Sequence, residues 1–195
     1  MRSRNNMIIF AMLNGVTDER HPPAHTKRGL PRGSFRTRTC GQTRCSAIEE
    51  MTMSLEIEID QTAHYPYTAA QVWKLCGDPG EISQWLPAVK KSWLDGDIRY
   101  AELEGGAGQA RERITEHNDE QYFYVYDYID GPLVLEDFSS RFAIRDAADG
   151  GCDVVWTARF RADSESEGAG LKEAVDGMYR GGLEQIGEVL RSGRM

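Results

Sequence analysis

Residues 54–162 contain seven short segments in which apolar and polar side chains alternate, and this pattern constrains the fold more than any other feature. In the first segment, Leu55, Ile57 and Ile59 alternate with acidic residues. A period of two is typical of a strand with one buried face. We predict strands at about 54–63, 89–94, 98–104, 109–117, 121–129, 134–145 and 152–162. The short connections, rich in Gly, Asp and Asn, predict antiparallel neighbours.

Helical signals occur after the first strand and again after the last. Thr68 and Gln71 form a capping box that predicts a short helix after the first strand. Glu81–Leu86 predicts a second short helix, ended by Pro87. At the C-terminus the apolar period becomes that of a long amphipathic helix, with one face made by Leu171, Val175, Met178, Gly182, Leu183, Ile186 and Leu190.

This order of elements predicts the α+β class. The economical packing is one curved, seven-stranded antiparallel sheet wrapped around the long C-terminal helix, with two short helices after strand one. A sheet that curves around a single helix tends to leave an internal cavity between the two, where ligands bind in folds of this kind.

The charge distribution separates the first fifty residues from the rest. They carry nine Lys/Arg against four Asp/Glu, a net charge of +5, whereas the remainder carries 14 against 27, a net charge of −13. A body this acidic repels nucleic-acid phosphates, so we expect no nucleic-acid partner. No apolar run approaches the roughly 18 residues of a membrane-spanning helix, so we expect no integral membrane segment.

Residues 1–52 have no apolar periodicity, and we interpret them as a disordered basic extension preceding a domain at 53–195. Three readings of the extension remain: a transit peptide for an organelle, a loose imitation of a signal peptide, or a start codon placed too far upstream. The last reading is favoured because Met51 and Met53 directly precede the first strand. A start codon placed too far upstream would correspond to a cytoplasmic protein. We expect the extension to be dispensable for folding.

Metal and cofactor motifs are missing from the sequence. The four cysteines, Cys40, Cys45, Cys76 and Cys152, show no zinc-ligand spacing. The glycine cluster at 104–108 links two strands and precedes no helix, which argues against a phosphate-binding loop. We therefore expect no metal and no cofactor. We interpret this cluster as a mobile mouth of the cavity, with 130–132 opposite it.

Six stretches in this order resemble one known family: Val72-Trp73, 85–89, 98–100, 112–114, 128–133 and 154–156. The chain from about Ser54 onward is similar to the polyketide cyclase/dehydrase and lipid-transport family of the START-related helix-grip superfamily. The resemblance implies a helix-grip fold with a hydrophobic internal cavity. It also implies one of several activities, since members are carriers, hormone receptors, cyclases or dehydratases, so the function must be argued from the site.

Two opposite charges are predicted to face this cavity from adjacent strands. Arg99 shares its strand face with Ala101 and Leu103, and Glu112 shares its face with Ala110 and Ile114. Buried charges are costly unless they are paired, so we predict an Arg99–Glu112 ion pair. Such a pair can also be purely structural. An Arg and a Glu at these positions resemble the catalytic pair of plant lachrymatory-factor synthase and a ligand-contacting pair of abscisic-acid receptors.

The remaining candidate site residues are mostly aromatic. Tyr122, Tyr124, Tyr126 and Tyr128 fall at a period of two on one strand face, which favours either cross-strand packing or a cavity wall with hydroxyl groups. We assign Tyr126 a catalytic role and predict the following ligand-binding residues: Lys90, Tyr124, Tyr128, Phe138, Ser140, Phe142 and Met178. Lys90 is included because related receptors place an anion-binding lysine there. The last strand is apolar on both faces, so its inward face stays open.

Two hypotheses follow for the function. In the first, the protein is an enzyme that cyclises, dehydrates or isomerises a hydrophobic carbonyl compound, with Glu112 moving a proton, Arg99 stabilising an oxyanion and a tyrosine donating. In the second, it is a carrier or sensor of a polyketide, lipid or isoprenoid-like ligand, whose polar head the same pair anchors. A surface-interaction protein without a ligand is disfavoured by the number of polar residues that face inward.

Overall fold

The structure is a computed structural model that describes residues 54–193, so the basic extension predicted at 1–52 lies outside the described residues. The strands are β1 Leu55–Tyr65, β2 Val89–Asp95, β3 Ile98–Leu103, β4 Gln109–Asn118, β5 Phe123–Asp130, β6 Glu136–Asp146 and β7 Cys152–Ala162. The α-helices are α1 Ala69–Cys76 and α2 Glu165–Ser192, and two short 3₁₀ helices cover Pro79–Gln84 and Glu104–Gly106. All seven predicted strands are present within a few residues of their expected bounds.

The strands form one antiparallel sheet in the order β1-β7-β6-β5-β4-β3-β2. Consecutive strands from β2 to β7 pair with their chain neighbours, as short connections require, and β1 closes on β7 in register from Leu55 opposite Ala162 to Tyr65 opposite Cys152. The curved sheet with one long C-terminal helix confirms the predicted α+β helix-grip fold. Within residues 54–193, no helix has the length and apolar character needed to cross a membrane.

The two short helices that follow β1 are α1 and the 3₁₀ helix Pro79–Gln84, and they differ in regularity. α1 begins at the predicted capping box, in which the Thr68 hydroxyl accepts from the Gln71 backbone N–H and the Gln71 side chain accepts from the Thr68 N–H. The second is a 3₁₀ helix, earlier and tighter than the α-helical turn predicted at Glu81–Leu86. Asp78 caps it through the Gly80 N–H at 2.8 Å, and the non-helical backbone of Glu81 prevents a regular α-helix.

Helix α2 packs across the inner face of the sheet. It begins six residues before the predicted Leu171, because Ser164 caps its first turn by accepting from the Glu167 N–H. Its buried residues follow the helical period from Val175 to Leu190. The Tyr179 ring stacks on Trp156 of β7 with centroids 3.9 Å apart. This stack fixes the distance between α2 and the sheet.

The inward face of β7, which the sequence left open, is the one carrying the aromatic residues. Val154, Trp156, Ala158 and Phe160 are all buried, whereas Val155 and its alternate neighbours are only half-buried or exposed. The core therefore contains a continuous row of large side chains from β7 against the helix.

Two adjacent glycines of α2 provide a test of this packing. A Cβ at Gly182 would lie 2.9 Å from Leu86 Cδ1 and 3.0 Å from Trp156 Cζ3, whereas one at Gly181 would meet nothing within 4 Å. We predict that Gly182→Ala destabilises the protein by about 1–2 kcal/mol, because overpacking outweighs the gain in helix propensity. Gly181→Ala, the matched control, should stabilise it by about 0.5–1 kcal/mol. Urea denaturation measures both changes, and equal stabilisation by both alanines would contradict the packing.

Candidate functional site

Arg99 of β3 and Glu112 of β4 form the predicted ion pair. The register places them directly opposite each other, and Arg99 Nε donates to Glu112 Oε2 at 2.7 Å. Arg99 is 2% exposed and Glu112 is 14% exposed, so the pair is largely removed from water. The alternation of β3 and β4 alone produces this geometry, because both residues occupy inner-face positions.

The Arg99 guanidinium also lies beside a backbone carbonyl and two tyrosine rings, of which the Tyr124 ring has its centroid 5.9 Å from Arg99 Cζ. Its Nη1 donates to the Pro79 carbonyl oxygen at 3.3 Å, and its Cζ lies 4.3 Å from the centroid of the Tyr126 ring. Burial by itself lowers the pKa of Arg99, but the attraction of Glu112 outweighs it and raises that pKa above its ordinary value. Arg99 is therefore a permanent buried cation, held by the carboxylate, a carbonyl and an aromatic face.

Three buried hydroxyl groups lie beyond this ion pair. The Tyr126 hydroxyl lies 3.2 Å from that of Tyr179, which in turn lies 2.7 Å from Ser140 Oγ. The Trp156 indole N–H donates to the Tyr126 hydroxyl oxygen at 3.1 Å. Burial raises the pKa values of Tyr126 and Tyr179, so both hydroxyls keep their protons at neutral pH.

An internal cavity of about 70 Å³ separates α2 from β3, β4 and β5. Its polar groups belong to Trp85, Arg99, Glu112, Tyr126, Tyr128, Trp156 and Tyr179. The rest of its wall is apolar, formed by Ile82, Leu86, Val89, Ala101, Leu103, Ala110, Pro132, Leu133, Leu135, Phe138, Val175 and Met178. The ion pair thus supplies the charged groups of a cavity wall whose other residues are uncharged.

Six of the predicted site residues line this cavity together: Arg99, Glu112, Tyr126, Tyr128, Phe138 and Met178. Tyr128 lies opposite Glu112 in the register of β4 and β5, and its hydroxyl accepts from the Leu133 N–H at 3.3 Å. Burial raises the pKa of Tyr128 to about 12, so its hydroxyl is also protonated at neutral pH.

The other four predicted residues lie outside the cavity wall. Tyr124 and Phe142 are fully buried and stack on each other with centroids 5.3 Å apart, in the part of the core beneath α1. Ser140 lies behind Tyr179, where it supports the hydroxyl cluster. Lys90 is exposed, because a register irregularity between Val89 and Lys91 turns both lysines outward while Val89 points into the cavity.

Sequence reasoning did not select Tyr179, Trp156 and Trp85 as cavity residues. Tyr179 had a usable signal, since it lies four residues after Val175 and four before Leu183 on the buried face of α2. Trp156 had none, because both faces of β7 are partly apolar. Trp85 follows a 3₁₀ helix, where no simple period predicts which way a side chain points.

The two loops expected at the mouth of the cavity lie next to each other. A Cβ built on Gly108 would lie 3.3 Å from Pro132 Cγ, and Pro132, Leu133 and Leu135 form one side of the cavity wall. Gly131, between Asp130 and Pro132, has φ +154°, and a Cβ there would lie within van der Waals overlap of the Tyr128 hydroxyl. Only glycine fits at this position, which seats the loop directly against the site.

No cluster of three or more His, Cys, Asp or Glu side chains suited to a metal ion occurs within residues 54–193. The only carboxylate in the cavity wall is that of Glu112. The chemistry available to these residues is hydrogen bonding, charge stabilisation and proton transfer.

Comparison with known proteins agrees with the resemblance seen in the sequence. A family model described as polyketide cyclase / dehydrase and lipid transport matches residues 56–191. That match covers β1 to α2 almost completely. A comparison with curated proteins gives no match.

Several solved structures share the fold. The protein XoxI from Bacillus cereus is 20% identical, with a TM-score of 0.65, covering 71% of this chain and 99% of that one. An uncharacterized protein from Bacillus thuringiensis is 23% identical, with a TM-score of 0.62, covering 68% and 97%. A solution structure from Thermobifida fusca is 27% identical, with a TM-score of 0.61, covering 70% and 93%.

The ion pair can be tested by a double-mutant cycle. Glu112→Gln should destabilise the protein by about 3 kcal/mol, because it leaves the Arg99 charge buried without its partner. Adding Arg99→Met should restore part of that loss, since an unpaired buried charge costs more than none. The exposed pair Arg113–Asp97, with N and O atoms 3.3 Å apart, is the control, and Asp97→Asn should cost under about 1 kcal/mol. Purely additive losses for Arg99 and Glu112 in urea denaturation would contradict the pairing.

Proposed function

The chain belongs to the polyketide cyclase/dehydrase and lipid-transport family, and on this premise we propose that it binds a hydrophobic carbonyl compound in the cavity and moves a proton on it. The ligands that we consider are polyketides, lipids and isoprenoid-like compounds. The reactions are cyclisation, dehydration and isomerisation, carried out by the protein's own side chains.

The observation that carries this proposal is the Arg99–Glu112 pair in an otherwise uncharged cavity wall. Removing two charges from water has a large free-energy cost, and an apolar pair of similar size would join β3 and β4 at least as well. A carboxylate that faces an enclosed cavity can exchange a proton with a bound ligand, and a guanidinium beside it can stabilise negative charge on that ligand. The placement of both charges in the cavity therefore supports a chemical role.

Each residue has a distinct role in the proposed chemistry. Arg99 binds Glu112 Oε2, so Oε1 is the oxygen that exchanges a proton with the ligand. When Oε1 takes a proton from the carbon next to a carbonyl, the C–H electron pair moves toward the carbonyl oxygen and an enolate forms. Arg99 and the protonated Tyr126 hydroxyl stabilise that oxygen. In a β,γ-unsaturated ketone the enolate is conjugated with the C=C bond, so returning the proton to the γ-carbon moves the double bond and isomerises the ligand.

The volume of the cavity limits what it encloses. An apolar cavity of about 150 Å³ is large enough to hold benzene, and this one has about half that volume. It therefore encloses only a compact group, such as the carbonyl head of a ligand. A longer polyketide or acyl chain requires displacement of the side chains at Pro132, Leu133 and Leu135.

A carrier or sensor is the second candidate function. The observation that favours it is that Arg99 and Glu112 satisfy each other at 2.7 Å without any ligand. In this reading the same pair and the tyrosine hydroxyls anchor a polar head group, and no bond of the ligand changes. The two functions differ in one measurable property, turnover.

Proton exchange on a small ketone distinguishes them without knowledge of the natural ligand. We predict that the protein accelerates exchange of the α-protons of acetone, a ketone of four heavy atoms, with deuterium oxide, measured by loss of the ¹H NMR signal. Glu112→Gln should lower the protein-dependent rate by at least about 10²-fold, because an amide cannot accept the proton. Glu116→Gln, an exposed residue of the same strand, should leave the rate unchanged.

Ligand binding in the same samples separates the outcomes. Saturable shifts of the Trp85 and Trp156 indole N–H signals report occupancy of the cavity. Binding without exchange would support the carrier and overturn the enzyme. Absence of saturable binding would contradict both functions.

A further inference from the structure

In the hydroxyl cluster next to the ion pair, counting the protons shows which group donates in each hydrogen bond. Ser140 Oγ has one proton, and it donates that proton to the Thr157 carbonyl oxygen at 2.8 Å. The short contact between Ser140 Oγ and the Tyr179 hydroxyl must then be a bond in which Tyr179 donates. The proton of Tyr179 is therefore committed to Ser140, away from the cavity.

The Tyr126 hydroxyl differs from the Tyr179 hydroxyl in its hydrogen-bond partners. Its oxygen accepts from the Trp156 indole N–H, and Tyr179 has no proton left to give it. Its own proton can go to the Tyr179 oxygen, 3.2 Å away, which is long for a bond between two hydroxyls. Tyr126 is thus the one hydroxyl of this cluster whose proton is weakly held and free to turn to another acceptor.

A second buried donor in the cavity wall also needs an acceptor. The Trp85 side chain is 1% exposed and lines the cavity, and its indole N–H has no hydrogen-bond partner among the described residues. An unpaired buried N–H costs free energy that a bound acceptor would recover. The cavity wall thus has donors from Arg99, Tyr126, Tyr128 and Trp85 but only one acidic acceptor, Glu112.

We propose that the cavity selects its ligand by an uncharged acceptor oxygen, such as a ketone carbonyl, and that binding transfers the Tyr126 hydrogen bond from the Tyr179 oxygen to this ligand oxygen. Tyr179 is then a positioning residue that holds the Tyr126 proton at rest, and the Trp156 N–H occupies an acceptor position of the Tyr126 oxygen, which favours Tyr126 as a donor. An uncharged ligand is expected because Arg99 and Glu112 already neutralise each other. This inference rests on ligand binding in the cavity as proposed above and names the chemical class that binds.

The proposal makes opposite predictions for two conservative variants. Tyr126→Phe removes the donor, so the ketone should lose affinity by about five-fold, the size of one net hydrogen bond. Tyr179→Phe keeps the stack on Trp156 but removes the competing acceptor, so the affinity for the ketone should rise by about two-fold or more. A residue with only a structural role would lower affinity when truncated.

The matched probes are acetone and 2-methylpropene, which are small enough for this cavity and differ only in C=O against C=CH₂. Their dissociation constants come from titrations of the ¹⁵N-labelled indole signals of Trp85 and Trp156, with Trp93, which stacks on Tyr100 on the other sheet face, as internal control. The affinity of the alkene should change by less than two-fold in both variants, which also shows that each variant keeps its fold.

The outcomes distinguish this inference from the proposed function. Equal weakening of ketone and alkene by Tyr126→Phe would mean that the ring only packs, and would overturn the inference while cavity binding stands. Weaker ketone binding in Tyr179→Phe would also overturn it. If neither probe shifts the tryptophan signals of the wild-type protein, the cavity is not a ligand site, and both the proposed function and this inference fail.

Discussion

The stack of Tyr179 on Trp156 determines how closely helix α2 approaches the sheet, and the site depends on that distance. The ring centroids are 3.9 Å apart, and at this separation Trp156, together with Leu86, leaves no room for a side chain at Gly182, one helical turn after Tyr179. The same two residues supply polar tips to the hydroxyl cluster around Tyr126. One aromatic contact therefore joins the packing of the core to the arrangement of donors in the cavity.

Unlike the aromatic stack, the Arg99–Glu112 pair has a free-energy cost of burial. Apolar burial stabilises the rest of the cavity wall, whereas the pair requires desolvation of two charges, which a 2.7 Å bond, the Pro79 carbonyl and the Tyr126 ring partly offset. A hydrophobic pair would avoid this cost. The costly burial of this pair thus occurs where the polar group of a ligand would meet the protein. This placement is the physical basis for the proposed function.

The sequence predicted the fold and the ion pair because both follow from a period of two. Alternation identified the strands, and a short hairpin brought inner-face charges of β3 and β4 opposite each other. The prediction of Lys90 as a cavity residue assumed unbroken alternation, which the irregularity after Val89 removes. Tyr124 and Phe142 do share the inner face, but part of that face packs under α1, and only tertiary structure separates core from cavity.

The central claim is that the buried ion pair contacts the ligand, and the NMR signal of the Arg99 Nε–H tests it directly. This proton lies in the bond to Glu112, and Arg99→Lys identifies its signal by removing it. Under the proposed function, acetone should shift this signal with the same dissociation constant as the Trp85 and Trp156 indole signals. An Arg99 signal that stays fixed while the tryptophan signals shift would contradict it.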